Sequence, residues 1–115
     1  MYSVIFYKSQ RGDSPVDDFL DSLQVKARAK THKWIQKLQE QGSDLPRPFS
    51  DILRNKIREL RIPCGNLDIR LLYFFWHNKI IVVTHGFLKK TNEVPEQEIE
   101  RAIRLMNDFI LRHGG

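Results

Sequence analysis

The stretch from residue 56 to residue 90 restricts the fold of this chain more than any other. It contains three runs rich in Ile, Leu, Val and aromatic residues, as β-strands are: Lys56–Ile62, Asp68–Trp76 and Lys79–Lys89. Turn chemistry separates them, with Pro63, Gly65 and Asn66 in the first connection and His77–Asn78 in the second. Three successive strands with short connections predict an antiparallel sheet.

The N-terminal part of the chain predicts one strand and two helices. Residues 2–7 alternate as a strand does, and Ser14 followed by Pro15 is typical of a helix start, with Ser14 as the N-cap. A second helix is predicted from about Val25 to Gln41 and ends at Gly42. Its inner face is apolar (Ala27, Trp34, Ile35, Leu38) and its outer face is cationic (Lys26, Arg28, Lys30, Lys33, Lys37). That outer face could bind nucleic acid, although a solvated charged face is the favoured alternative.

The C-terminal part predicts a third helix, which Pro95 opens and which runs to about Arg112. Its buried stripe is predicted at helical spacing: Ile99, Ala102, Ile103, Met106 and Ile110. The segment Asp51–Asn55 is too short to assign. The predicted order is β-α-α-β-β-β-α in one domain, residues 1–115. Grouped rather than alternating helices predict an α+β fold with an antiparallel-rich sheet.

Composition excludes several classes of protein. The single cysteine, Cys64, rules out an internal disulfide and suits a reducing compartment. The four histidines stand too far apart for zinc spacing, and we expect no metal or cofactor. The longest apolar run, Leu71–Trp76, is too short to span a membrane, and the N-terminus lacks the features of a signal peptide. We therefore expect a cytoplasmic protein with no membrane partner.

The net charge of +5 points to an anionic partner. The stretch from residue 56 to residue 90 holds 7 Lys/Arg and 2 acids, and the other 80 residues hold 12 of each. This count predicts that the excess positive charge lies on the sheet. The cations in question are Lys56, Arg58, Arg61, Arg70, Lys79, Lys89 and Lys90.

Strand alternation assigns Arg70 to one face of the sheet and leaves two possible roles for this residue. Arg70 should share a face with Asp68, Leu72, Phe74 and Trp76. It is either a partner in a buried ion pair, with Glu59 as the candidate, or an anion site, and both can hold if Glu59 orients the arginine. A guanidinium cannot lose its proton at working pH, so Arg70 can stabilise charge but cannot act as a base.

The last strand carries two further candidates, His85 and Lys89. Alternation predicts that both lie with Phe87 on the face of Ile81 and Val83, while Thr84, Gly86, Leu88 and Lys90 lie opposite. A bulge at Gly86 would change this assignment. A strand histidine is more often a satisfied core residue than a catalyst, and Tyr73 is predicted to be core.

Four segments carry a resemblance to a known family: Glu59–Arg61, Ile69–Phe75, His85–Thr91 and Pro95–Ala102. In these segments the chain resembles the RelE/ParE superfamily of bacterial toxins, most closely its HigB-like, phage-derived branch. The resemblance covers nearly the whole chain with matching element order. It implies an endoribonuclease that cleaves messenger RNA on the ribosome by attack of the 2′-hydroxyl, without a metal. It also implies a helix-turn-helix, HigA-like antitoxin as partner, with DNA contacted only through that antitoxin.

The resemblance also implies roles for individual residues. Arg70 is similar to the arginine that contacts the scissile phosphate, and Lys89, Lys90 and His85 complete the predicted catalytic set. Lys56, Arg58 and Arg61 are the predicted RNA-binding cations, with Glu59 and Tyr73 in support. The chain differs from RelE itself because it ends in a long helix rather than a short tail with a catalytic tyrosine. The general base is therefore left open between His85 and a lysine of depressed pKa.

Two alternatives remain open at this point. One is a ParE-like inhibitor that blocks DNA gyrase by protein contact, and the other is a catalytically silent member that supports antitoxin binding to DNA. ParE-type chains lack the catalytic cations, so the presence of Arg70, His85 and Lys89–Lys90 favours the nuclease.

Overall fold

The computed structural model describes all 115 residues and contains five strands and three α-helices. The strands are β1 (Ser3–Phe6), β2 (Ser50–Arg54), β3 (Ile57–Cys64), β4 (Leu67–Trp76) and β5 (Ile80–Leu88). The helices are α1 (Pro15–Ser22), α2 (Val25–Gln41) and α3 (Glu96–His113), with a short 3-10 turn at Gly42–Asp44. The predicted α+β class is confirmed, with one strand added to the predicted order.

The added strand is β2, which overlaps the segment that the sequence left unassigned. It pairs with β3 through a tight turn at Asn55 and Lys56, both of which have positive φ, as a two-residue hairpin turn of the primed type requires. The sheet order is β1-β5-β4-β3-β2, with β1 parallel to β5 and every other pair antiparallel. The long strand β4 therefore lies at the centre of the sheet.

Helices cover both faces of this sheet. On one face α1 and α2 pack against Leu60, Leu71 and Tyr73, and on the other α3 packs against Leu72 and Phe74. The predicted alternation along β4 is thus confirmed, because odd-numbered residues face α1 and α2 and even-numbered residues face α3. None of the three helices combines the length and the hydropathy that a membrane span requires.

A β-bulge at Thr84 interrupts the alternation of β5. Leu72 pairs with His85 and Tyr73 pairs with Val83, so Thr84 is an extra residue in β5 without a partner in β4. One extra residue turns every following side chain to the other face of the sheet. The predicted site of such a bulge, Gly86, is wrong by two residues.

The consequence is that the predicted common face of Val83, His85 and Phe87 is wrong. Val83 packs in the core under α1 and α2, whereas Phe87 packs in the core on the α3 side and His85 bonds to α3. Gly86 instead allows close packing of α1 on the sheet. A Cβ placed there would lie 2.4 Å from Cδ2 of Phe19, which no side chain tolerates without movement.

The helix boundaries follow their capping residues. The Asp17 N–H donates to Ser14 Oγ over 3.3 Å, which confirms Ser14 as the N-cap of α1, and α2 has the predicted bounds. Pro95 is the N-cap of α3 rather than its first residue. The buried stripe of α3 is Ile99, Ala102, Met106 and Phe109, so Phe109 takes the place predicted for Ile110.

Candidate functional site

Arg70 lies on the α3 face of β4, with 10% of its side chain exposed. Its Nη1 donates to Glu59 Oε2 over 3.1 Å, and its Nη2 donates to Asp68 Oδ1 over 2.7 Å. Glu59 lies on the neighbouring strand β3 and is only 2% exposed. Because β3 and β4 pair Glu59 with Leu72 and Arg61 with Arg70, all three charged side chains share one face. The ion pair between Arg70 and Glu59 is confirmed.

This pair belongs to a larger chain of charges. Glu59 Oε1 accepts from Nε of Arg61 over 2.9 Å, and Arg61 Nη2 reaches Asp51 Oδ2 over 3.1 Å. Asp51 in turn accepts from Arg47 over 2.6 Å, and that bond holds the pKa of Asp51 below its usual value. We call the connected set the Arg70 network: Arg47, Asp51, Glu59, Arg61, Asp68, Arg70 and Lys89. It contains four cations and three carboxylates, so one positive charge is left without a partner.

One buried nitrogen of the Arg70 network has no hydrogen-bond partner. Nε of Arg70 is buried and has no hydrogen-bond partner. A buried donor without a partner raises the free energy of the folded state, and it marks the guanidinium as a group that an additional acceptor would complete. An anion is the acceptor that a guanidinium binds best.

Lys89 and Lys90 lie in different environments, as predicted. The Lys89 side chain is 10% exposed, and its Nζ lies 3.7 Å from Asp68 Oδ2. The same ammonium donates to the carbonyl oxygens of Thr91 and Asn92, each over 3.0 Å. Lys89 therefore joins the Arg70 network and holds the loop after β5, whereas Lys90 is exposed.

His85 is fully buried between β5 and the first turn of α3. Its Nε2 lies 3.0 Å from Glu98 Oε1, and its Nδ1 lies 3.1 Å from the hydroxyl of Thr84. A carboxylate only accepts, so Nε2 carries the proton, while the Thr84 hydroxyl donates its one proton to the carbonyl oxygen of Leu72 over 3.1 Å. Burial, assisted by the positive charge of Arg101, lowers the pKa of His85 to about 4. The imidazole is neutral at pH 7, and its environment is that of a buried core histidine.

The remaining predicted site residues are spread over the molecule. Arg58 lies on the opposite face of the sheet from Arg70, with its guanidinium 5.1 Å from the ring centre of Phe75. Tyr73 also lies on that opposite face, where burial raises its pKa. Lys56 is exposed in the turn between β2 and β3. Of the predicted set, the structure brings together Arg70, Arg61, Glu59 and Lys89, with Lys90 next in sequence.

Asp68 and Asp51 were missed as members of the site. Asp68 could have been found, because it stands two residues before Arg70 on the same strand face. Asp51 could not, because it lies on β2, which the sequence did not identify as a strand. Glu98 was not predicted as a site residue, because its bond to His85 depends on how α3 docks.

One comparison with known proteins assigns the chain to a family. The family model described as phage derived protein Gp49-like (DUF891) matches residues 18–107. The chain belongs to this Gp49-like family. Its members are toxin-like proteins, which agrees with the coarser part of the resemblance found in the sequence. No match was found among curated proteins.

The matched region includes every member of the Arg70 network, together with His85 and Glu98. It begins within α1 and ends within α3, so β1 lies outside it. The candidate site is therefore built from the part of the chain that the Gp49-like family shares.

Proposed function

We propose that this Gp49-like protein is the toxin of a type II toxin–antitoxin system and cleaves messenger RNA on the ribosome. The observation that supports this most directly is Arg70, a guanidinium that two carboxylates fix and whose buried Nε has no partner. A HigA-like helix-turn-helix antitoxin would neutralise the protein, and DNA would be contacted only through it. The proposed place of action is the cytoplasm, where translated messages are found.

The proposed reaction is an intramolecular transfer at phosphorus. The 2′-hydroxyl of a ribose gives its proton to a base while its oxygen attacks the adjacent phosphorus. The bond from phosphorus to the 5′-oxygen breaks and that oxygen takes a proton from water, so that a 2′,3′-cyclic phosphate and a 5′-hydroxyl are formed. The requirements are in-line placement and stabilisation of the charge on the non-bridging oxygens. Arg70 would stabilise that negative charge, because Glu59 and Asp68 already hold its guanidinium in one orientation.

The proton acceptor needs access to the 2′-hydroxyl, and burial argues against the earlier candidate His85. Both ring nitrogens of His85 lie against protein groups, Glu98 and Thr84, and no surface of its side chain is exposed. Asp68 is 43% exposed and hydrogen-bonded to Arg70, which makes it the most accessible carboxylate of the Arg70 network. We therefore propose Asp68 as the general base. Asp68→Asn keeps the shape of the side chain and should lower the cleavage rate without raising the amount of ribosome needed for saturation.

Induced expression without an antitoxin tests the proposal. Growth should stop, and mapping of message 5′ ends should reveal new ends in translated regions. Arg70→Gln should abolish these ends. Arg58→Gln, which removes the same charge from the opposite face of the sheet, is the matched control and should leave them in place. Intact messages in arrested cells would reject the nuclease.

A second candidate function is inhibition of DNA gyrase by protein contact, as in ParE-like toxins. The observation in its favour is that His85 and Lys89 have structural partners that account for them without any catalysis. In that case the purified protein would inhibit DNA supercoiling by gyrase, and growth would stop in cells whose messages stay intact. A catalytically silent member would produce neither effect and would only strengthen the binding of its antitoxin to DNA.

A further inference from the structure

The helix α2 carries a dense set of positive charges without ion pairs. It contains five Lys/Arg and one acid, Glu40, a formal net charge of +4. On the sheet, by contrast, Arg61, Arg70 and Lys89 form ion pairs with carboxylates. The sequence count placed the excess charge on the sheet. The tertiary structure shows a second excess of positive charge, on α2, whose lysines form no ion pairs.

Four lysines of α2 form one straight row: Lys26, Lys30, Lys33 and Lys37. Their spacing of four, three and four residues places them on one face of the helix, along roughly 16 Å of its axis. None of the four takes part in a salt bridge or donates a hydrogen bond to a protein group. Lys37 alone has a protein partner, the ring of Trp34 at 4.7 Å. We call this set the α2 lysine row.

The fifth cation of the helix, Arg28, shows that this lack of partners is selective. Its Nε donates to the carbonyl oxygen of Leu20 and its Nη2 to that of Leu23, each over 2.9 Å. Arg28 thus closes the end of α1 and has a structural purpose. The α2 lysine row has no such purpose within the chain.

The row also opposes the stability of its own helix. Cations in the first turn interact unfavourably with the positive end of the helix dipole, and α2 has no acid there to offset them. Like charges four residues apart repel each other, as Lys26 and Lys30 do, and again Lys33 and Lys37. Apart from the contact of Lys37 with Trp34, the row forms no stabilising contact within the folded chain, so it is suited to contact with an external anion.

From these observations we infer that the α2 lysine row binds the phosphate backbone of double-helical RNA. A duplex carries roughly one negative charge per 1.7 Å of axis, so the row spans several phosphates. The neighbouring aromatic residue, Trp34, is buried, and so the row has no platform on which bases could stack. Binding should therefore be independent of sequence and strongly dependent on salt.

A lipid surface is the main competing partner, and the helix is poorly suited to it. Helices that lie on membranes insert their apolar face, but the apolar face of α2 is occupied by the protein core. The row also lies on the opposite side of the sheet from Arg70. One RNA could contact α2 while another enters beside Arg70. This inference goes beyond the proposed function, because a protein without nuclease activity could still bind RNA in this way. Only the choice of RNA over DNA rests on the proposed function.

Two matched quadruple variants test the inference. The first replaces the α2 lysine row with glutamine, and the second replaces four exposed cations outside the predicted catalytic and RNA-binding sets: Lys8, Arg11, Lys79 and Arg104. Each variant loses four positive charges, and Lys79 lies over Tyr2 at 4.6 Å much as Lys37 lies over Trp34. The probe is a synthetic, fluorescently labelled RNA duplex that is not a messenger RNA, so the result does not depend on cleavage.

Fluorescence anisotropy over a range of salt concentrations gives the affinity and the number of phosphate contacts. At low salt the row variant should bind RNA at least about tenfold more weakly than the wild type. The slope of the logarithm of its association constant against the logarithm of the salt concentration should be smaller by about 3 to 4. The control variant should change both far less. Circular dichroism should report an unchanged fold, with a Tm at or above that of the wild type because repulsion has been removed.

Three results would overturn the inference. Equal losses in the two variants would mean that overall charge, and not the row, attracts RNA. Tighter binding to a DNA duplex of the same sequence would contradict the choice of RNA. Binding to phosphatidylserine vesicles that depends on the row, with no binding to RNA, would assign the row to a membrane surface.

Discussion

Removal of Arg70 should destabilise the protein, whatever its effect on activity. Arg70→Ala removes two hydrogen-bonded ion pairs, one of them to Glu59, which is 2% exposed. Loss of one partner from a buried pair costs roughly 3–5 kcal/mol because the other charge is left buried. Arg61 still bonds to Glu59, so we expect the lower end of this range, about 3 kcal/mol.

Urea unfolding followed by the fluorescence of the buried Trp34 would measure this change. The midpoint should fall while the slope stays the same, since the variant should expose the same surface on unfolding. Arg54→Ala is the matched control, because its ion pair with Glu96 is largely exposed and should contribute little. The double variant Glu59→Leu, Arg70→Met leaves neither charge of that pair buried and should be more stable than Arg70→Ala.

An Arg70→Ala protein that unfolds at the wild-type midpoint would refute this reasoning. It would mean that Glu59 is satisfied by Arg61 alone and that the ion pair with Arg70 contributes nothing to stability. A loss of growth arrest in such a variant would then be direct support for a catalytic arginine. If the midpoint falls as expected, loss of activity has to be measured below the unfolding transition, and Arg70→Lys, which retains the charge, becomes the informative variant.

Three further predictions follow from the buried polar groups and the packing. The pKa of His85 is about 4 in the folded protein and near 6.5 when unfolded, so its neutral form stabilises the fold above pH 6.5. That stability, about 3 kcal/mol at most, should be lost as the pH falls from 6.5 to 4, and urea unfolding of His85→Asn should show a flatter pH dependence over that range. Gly86→Ala should destabilise the protein by roughly 1–3 kcal/mol in thermal or urea unfolding, because its Cβ would meet Phe19, and Phe19→Leu should restore part of the loss. Lys89→Ala should speed amide hydrogen exchange in the loop after β5, and Lys90→Ala should not.

Each of these predictions has an outcome that contradicts it. His32→Asn, on the exposed face of α2, is the control for the first, and an equally flattened curve there would remove His85 as the cause. Gly86→Ala with wild-type stability would mean that α1 can shift on the sheet without cost. Equal hydrogen exchange in the two lysine variants would mean that the contacts of Lys89 with the loop carbonyls do not hold it.

Local patterns were sufficient for the helices and for the face on which Arg70 lies. Val25–Gln41 was predicted to its ends, because the glycine that follows terminates the helix. The alternation along β4 was also correct, since a central strand packed on both faces has no freedom to change register. The pairing of Arg70 with Glu59 followed from that alternation and from the rule that buried charges are paired.

Tertiary structure alone decided the features that depend on partners distant in sequence. The strand β2 is five residues long and forms because β3 offers it hydrogen bonds, so its own sequence carries little signal. The bulge at Thr84 reverses the faces of β5, and the docking of α3 then buries His85 against Glu98. Charge behaves in the same way: a sequence reports how many cations a segment contains, but only the fold determines which of them meet a carboxylate.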